Sequence, residues 1–341
     1  MRLNLYAAAL LFIGTTSAFV SPQRSTNLHH SNNFQQDILQ IRGGDMNMMP
    51  STTSALSSTI GPVIETLHQT LVSGTPLRAI GALYAVASLT VVPLTWYRTA
   101  YSFSVGYGLS VAAMSVALLS AFPVSGGSFS MASAPSLLAL TTLVYGVRLA
   151  AFIFAREKTV ESKRKAFDEM NSRPVLSRTP LALGVALLYA FMMSPALFAL
   201  RGAVTAGSVS EKAQVFFTGV AAFGMILESV ADQHKYEVKR QSKEGEDKFV
   251  GPTTWSYKLC RHPNYLGEIL HWSGIFAAGS VSFGKSITAW VPGVLGLWGI
   301  LSIMFGASSR LDKKQSEKYD GQPAYDEWKG KVASSVIPFV K

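Results

Sequence analysis

Seven stretches of the chain are apolar almost throughout: residues 79–97, 101–122, 134–154, 180–200, 213–231, 266–283 and 287–306. Each is close to the ~20 residues that a helix needs to cross the hydrocarbon core of a bilayer. The expected fold is therefore all-α, a polytopic integral membrane bundle of about seven transmembrane helices. Residues 99–147 are too long for one crossing, and PVSGGSFSMASAPS (123–136) supplies the turn between two. A soluble bundle with buried central helices is the alternative, but so many long apolar runs exceed what one soluble core holds.

Charge sharpens this picture. Only 15% of the residues are Asp, Glu, Lys or Arg, against 48% apolar, and mean hydropathy is +0.25. That balance excludes an intrinsically disordered chain and argues against a two-domain soluble enzyme. The single cysteine, Cys260, excludes an intramolecular disulfide framework and a cysteine-based metal cluster. From Thr99 to Val147 there is no charged residue at all. After Arg148, charge is gathered into residues 155–179, 228–262 and 306–341, each holding seven Lys or Arg. If every apolar run crosses once, these three blocks and Arg98 fall on one side. The other side receives Arg78, Arg201, Lys212 and Lys285 with Glu65 and Glu211. Short loops rich in Lys and Arg stay on the cytoplasmic side or its organellar equivalent. The net charge of +10 thus marks one membrane face. Because the basic residues are interleaved with acids and flank the spans, they point to anchoring and a phosphate-bearing cofactor rather than to nucleic acid.

The first residues read differently. MRLNLYAAALLFIGTTSAF has a basic start, a short apolar stretch and a small-residue site at Thr16-Ser17-Ala18, which predicts a signal peptide over residues 1–18. Residues 19–60 are rich in Ser, Thr and Asn and are expected to be transit-like or disordered. With Phe19 just after the cut, the pair resembles the two-part targeting sequence of algae with complex plastids. It implies a plastid membrane; without it, the endoplasmic reticulum is the expected location.

Polar side chains inside apolar spans are costly and default to functional hypotheses. Arg148, Glu228, Glu268 and His271 all fall toward the charged side. Glu228, Asp232, Lys235 and Lys239 stand at i, i+4, i+7 and i+11, within one helix face. The fifth span is therefore predicted to continue out of the membrane with a polar stripe. Asn264, Glu268 and His271 form a second stripe at i, i+4 and i+7, on a helix that Pro263 is suited to begin. Arg261 and His262 precede that start, where a helix N-terminus attracts anions. In the third block, Arg310, Lys313, Lys314 and Lys318 are followed by Tyr319, Tyr325 and Trp328, which fit either an interfacial belt or the closure of a cofactor site.

Three segments carry a family likeness: ESVADQHKYEVKR (228–240), RHPNYLGEILHWSG (261–274) and QPAYDEWKGKVASSVIPF (322–339). Together they resemble a membrane protein family with a C-terminal domain similar to steroid 5-alpha-reductase, over about residues 77–341. YGVRLAAFIFAR (145–156) resembles that family's third-span segment, with Tyr145 where Trp is common. The chain departs from the pattern at Leu259 and Cys260, where the family usually has an aromatic residue and Ser or Thr; Trp255 is the nearest substitute. The resemblance implies a bundle that binds NADPH on its cytoplasmic side and meets a lipid-soluble substrate within the membrane. Carried over by motif position, Glu228, Asp232, Lys239, Arg261, Asn264, Tyr265 and Glu268 would contact the cofactor. Lys235, His262 and Arg310 complete the candidate cofactor-binding set. No GxGxxG follows a strand, so no Rossmann domain is expected.

The implied reaction is NADPH-dependent reduction of a carbon–carbon double bond in a steroid, isoprenoid or enoyl lipid. The cofactor supplies the hydride and the protein supplies orientation and a proton. Tyr265, Glu268 and His271 are the candidate catalytic acids, and Tyr84, Tyr97, Tyr101 and Tyr107 in the early spans are further possibilities. A different reaction class stays open. Isoprenylcysteine carboxyl methyltransferases share an RHPxYxG motif and bind S-adenosylmethionine, which has no phosphates and needs fewer cations. A non-enzymatic lipid-binding membrane protein is the third reading.

Overall fold

The computed structural model describes residues 52–122, 133–172, 174–202, 208–241 and 248–338. The signal peptide, most of the transit-like segment and most of the 123–136 turn lie outside the described residues. Helix α1 (Thr52–Ser73) begins inside the segment read as transit-like. The chain divides into two units, Met1–Leu67 and His68–Lys341. The second unit holds the apolar runs and the charged blocks.

Among the described residues the second unit is built from helices. They are α2 (Pro76–Tyr97), α3 (Val105–Ala121), α4 (Ala134–Thr159), α5 (Glu161–Glu169), α6 (Thr179–Arg201), α7 (Val209–Gln241), α8 (Pro263–Ser280), α9 (Ile287–Tyr319) and α10 (Pro323–Lys331). Proline stands in the first turn of α2, α4, α6, α8 and α10, where its missing N–H has no helical partner to lose. Two helices have 33 residues, α7 and α9. At 1.5 Å per residue each is roughly 50 Å long, more than the ~30 Å hydrocarbon core. Both therefore carry their charged C-terminal turns beyond the apolar layer.

Five helices are long and apolar enough to cross a membrane: α2, α4, α6 with its preceding turn, α7 and α9. Helix α3, at 17 residues, is apolar but shorter. The surface agrees with an integral membrane protein. Helix α7 exposes Val215, Phe216, Phe223, Ile226 and Val230, while it buries Gln214, Thr218, Glu228 and Asp232. That is the inverse of a water-soluble helix, whose polar stripe faces out. Helix α9 exposes Trp290, Val294, Leu295 and Trp298 in the same manner.

The most extensive helix pairings are α7 with α8 and α3 with α4. Glycine makes both possible. A Cβ on Gly108 would lie 2.6 Å from the carbonyl oxygen of Gly146, and one on Gly267 would lie 2.5 Å from the backbone nitrogen of Glu228. Without a hydrophobic drive between helices in lipid, such small-residue contacts let backbones close to packing distance.

The three charged blocks meet at one end of the bundle. Arg98, after α2, pairs with Glu157 of α4 and with Asp168 of α5. Tyr236 of α7 donates its hydroxyl to Thr159 at 3.0 Å. Arg261, before α8, reaches Asp312 of α9. At the other end, Arg201 donates to the carbonyls of Leu71 and Thr70 at 2.6 and 2.9 Å.

Candidate functional site

Helices α4, α7 and α8 bring the intramembrane polar residues together. Arg148 of α4 donates from Nη1 to Glu228 Oε1 at 2.7 Å and from Nη2 to Asp232 Oδ2 at 3.0 Å. Glu228 and Asp232 are one turn apart on α7, so a single planar guanidinium spans both carboxylates. Gly267 packs against the Glu228 backbone, which sets Glu268 of α8 beside that ion pair.

Glu268 accepts from the hydroxyl of Tyr107, on α3, at 3.0 Å. The same Tyr107 oxygen accepts from Trp272 Nε1 at 2.6 Å and lies 3.4 Å from the Tyr145 hydroxyl. Tyr145 stacks on His271, with ring centroids 3.9 Å apart and planes 13° from parallel. His271 Nδ1 lies 3.0 Å from the carbonyl of Ala221. A carbonyl only accepts, so Nδ1 carries the proton and Nε2 is a bare acceptor.

A narrow cleft, open to solvent and with a cavity volume of about 20 Å³, lies at the charged end between α7, α9 and the segment before α8. Lys235, Lys239, Arg261 and Gln315 line it with Phe249, Tyr257, Tyr319 and Trp328. This is an anion-attracting, aromatic-walled opening, and it lies one turn beyond the Arg148 clamp along α7.

Most of the predicted site residues thus fall into two groups. Glu228, Asp232, Glu268 and His271 belong to the buried cluster. Lys235, Lys239 and Arg261 line the cleft, with Asn264 and Tyr265 in the first turn of α8. His262 is fully buried, its ring stacked on Tyr265 at 5.5 Å. Arg310 is exposed on α9. Around the departures from the family pattern, Tyr257 is buried and bonds the carbonyl of Ala231 at 3.2 Å. Trp255 is 76% exposed, with a left-handed φ of 55°. Burial pushes the Cys260 thiol up to about 11, so it stays protonated at neutral pH.

Three participants carry no sequence signal that selects them. Tyr107 is one tyrosine among several in a charge-free stretch. Trp272 reads as an ordinary apolar residue of the RHPNY helix. Asp312 sits among Lys and Arg like any solvated acid, yet it accepts from Arg261, His262 and Ser335.

Unpaired polar atoms collect at the same place. Among the described residues, eleven buried side-chain nitrogens or oxygens lack a hydrogen-bond partner. Glu228 Oε2, His262 Nδ1, Asn264 Oδ1, His271 Nε2 and Gln315 Oε1 are five of them, and all five lie in or beside the cluster and cleft. Orphaned buried acceptors are uncommon, since each costs ~1–3 kcal/mol. Acceptors of this kind suit water or a ligand rich in N–H and O–H donors.

No curated protein and no solved structure matches the chain. One family model does, over residues 102–332, a span that runs from just before Tyr107 to Val332 and holds both the buried cluster and the cleft. With more than half of its length inside that match, the chain belongs to the DUF1295 family of proteins of unknown function.

Proposed function

We propose that the protein is an NADPH-dependent reductase of a carbon–carbon double bond in a lipid-soluble substrate, working at the charged rim of a seven-crossing bundle. Helices α3 and α8 supply the two crossings beyond the five long ones; at 17 and 18 residues they are roughly 26 Å long, enough for a locally thinned core. The observation that carries the reading is the adjacency of two chemistries. A basic cleft suited to phosphates adjoins a buried cluster whose orphaned acceptors suit ribose hydroxyls and amide N–H groups.

The residues fit the cofactor. Lys235 and Lys239 would face its phosphates, and Glu228 Oε2 and Asn264 Oδ1 would accept its donors. When bound, NADPH supplies the hydride. The chain's own residues supply the rest. Arg148 fixes both carboxylates of α7 with one shared positive charge. Tyr107 holds a transferable proton, its hydroxyl oriented by Glu268 and Trp272. The lipid-facing helix surfaces admit an apolar substrate laterally, and the buried setting excludes water from a basic intermediate. A plastid membrane of a complex-plastid alga is the location proposed from the N-terminal sequence.

The test is titration of the purified full chain, in nanodiscs, with NADPH and with S-adenosylmethionine. Micromolar NADPH binding that is lost in Lys239→Ala supports the reductase. Binding of S-adenosylmethionine alone replaces it with methyl transfer, and binding of neither leaves a lipid-binding protein.

A further inference from the structure

Arg261 opens the RHPNY motif, and its charge reads as a phosphate ligand. Its geometry points elsewhere. Nε donates to Asp312 Oδ1 at 3.1 Å and Nη2 to Asp312 Oδ2 at 2.8 Å. Nη1 donates to the carbonyls of Val332 and Ala333 at 2.9 and 2.6 Å. A guanidinium has five N–H donors, so four are committed within the chain. A carboxylate held in a bidentate fork also cancels most of the positive charge that a phosphate would meet.

The backbone continues the attachment. The amide of Arg261 donates to the carbonyl of Ser334 at 3.0 Å, and that of His262 to Ser335 at 2.9 Å. Asp312 receives two more bonds, from His262 Nε2 at 2.8 Å and from Ser335 Oγ at 2.6 Å. Asp312 is therefore the common pin of the α8 entrance, of α9 and of the C-terminal segment. The helix just before that segment, α10, walls the cleft. Trp328 of α10 lines it, stacks on Phe249 with centroids 5.5 Å apart, and donates to the carbonyl of Tyr257 at 3.3 Å. Gly321, at φ +87°, makes the turn that folds α10 back beneath α9.

We infer that Arg261 and Asp312 are positioning residues: they clamp residues 332–335 across the entrance of α8, so that Trp328 is held in place as a wall of the ligand cleft. Arg261 acts on the ligand through this strap and does not itself bind phosphate. The effect on NADPH rests on the reductase reading; the clamp does not.

The two roles give opposite signs for Asp312→Asn. If Arg261 were a phosphate ligand, removing its carboxylate partner would free a cation and tighten NADPH binding. If Arg261 is a clamp, the same change weakens NADPH binding, by roughly tenfold for the loss of charge-assisted bonds. Hydrogen exchange of the full chain in nanodiscs gives the second readout: the amides of residues 332–335 should exchange at least about tenfold faster in Asp312→Asn. Ser335→Ala should shift both readouts in the same direction by less, and it serves if Asp312→Asn does not fold. Asp312→Glu should recover part of both. Tighter or unchanged NADPH binding overturns the positioning role. If the wild-type chain binds no NADPH, the reductase reading falls, and exchange alone decides: unchanged rates at 332–335 overturn the clamp.

Discussion

Tyr107 and Glu268 stand 161 residues apart in the chain, yet the tyrosine hydroxyl donates to the carboxylate at 3.0 Å in the interior of the bundle. The pair joins α3, which has no charged residue, to the RHPNY helix. In the proposed reductase this phenol, oriented by Glu268 and by Trp272 Nε1, is the proton source of the cluster. Tyr107→Phe keeps the ring and removes the proton. On the reductase proposed above, turnover of a conjugated lipid double bond should fall by roughly 10²–10⁴-fold, the usual size of a general-acid contribution, with NADPH affinity little changed. Full activity in this variant would exclude Tyr107 as the donor.

Arg148 bridges two carboxyl groups that are almost wholly buried, with side-chain exposures of 4% for Glu228 and 9% for Asp232. Replacing it with Met leaves both buried carboxyl groups without their cation. The expected loss is about 3–5 kcal/mol, visible as a large drop in the midpoint of thermal unfolding in detergent. The triple variant with Glu228→Gln and Asp232→Asn should recover much of that loss, since the stranded carboxyl groups are gone. A triple variant no better than the single one would show that the clamp is not electrostatic.

The contact of α7 with α8 tolerates no side chain at Gly267. A Cβ there meets the Glu228 nitrogen at 2.5 Å and the Gly224 carbonyl oxygen at 2.6 Å, both backbone atoms that cannot rotate away. Gly267→Ala should destabilise by at least ~1–3 kcal/mol and disturb the Arg148 clamp beside it. Gly219, also on α7, has nothing within 4 Å of its added Cβ. Gly219→Ala should be neutral or slightly stabilising. Equal unfolding midpoints for the two variants would contradict this packing.

His262 ties the strap to pH. Burial lowers its pKa, against the opposing pull of the hydrogen bond to Asp312, with Lys235 and Arg261 adding further lowering. The folded ring therefore stays neutral where an unfolded one would protonate. Above about pH 6.5, the ordinary histidine value, both states are neutral and nothing is lost. As pH falls below it, the unfolded chain binds a proton that the folded chain refuses, and stability declines by up to about 1.4 kcal/mol per pH unit. Unfolding midpoints at pH 7.5 and 5.5 should therefore differ more in wild type than in His262→Asn. An equal difference in both would show that His262 is not the titrating group.

The amino-acid sequence by itself determined the apolar helical runs and their common charged end, though not how far each helix continues, since α9 runs on to Tyr319. These follow from local, additive physics: the cost of polar groups in lipid sets each span, and the placement of Lys and Arg sets the side. It also placed Glu228 and Asp232 one turn apart and put Pro263 at the head of α8, because helical spacing is a short-range property. What the tertiary structure decided is partnership. Arg148 reaches residues 80 and 84 positions away, and Tyr107 is set apart from Tyr84, Tyr97 and Tyr101 by its bonds to Glu268 and Trp272. Arg261 has the charge to meet an anion, but Asp312 and the 332–333 carbonyls hold it. Such pairings depend on which helix faces cross, and close crossings are set by glycines whose effect depends on what lies opposite. No periodicity along the chain encodes that, so the charge of a residue was legible and its engagement was not.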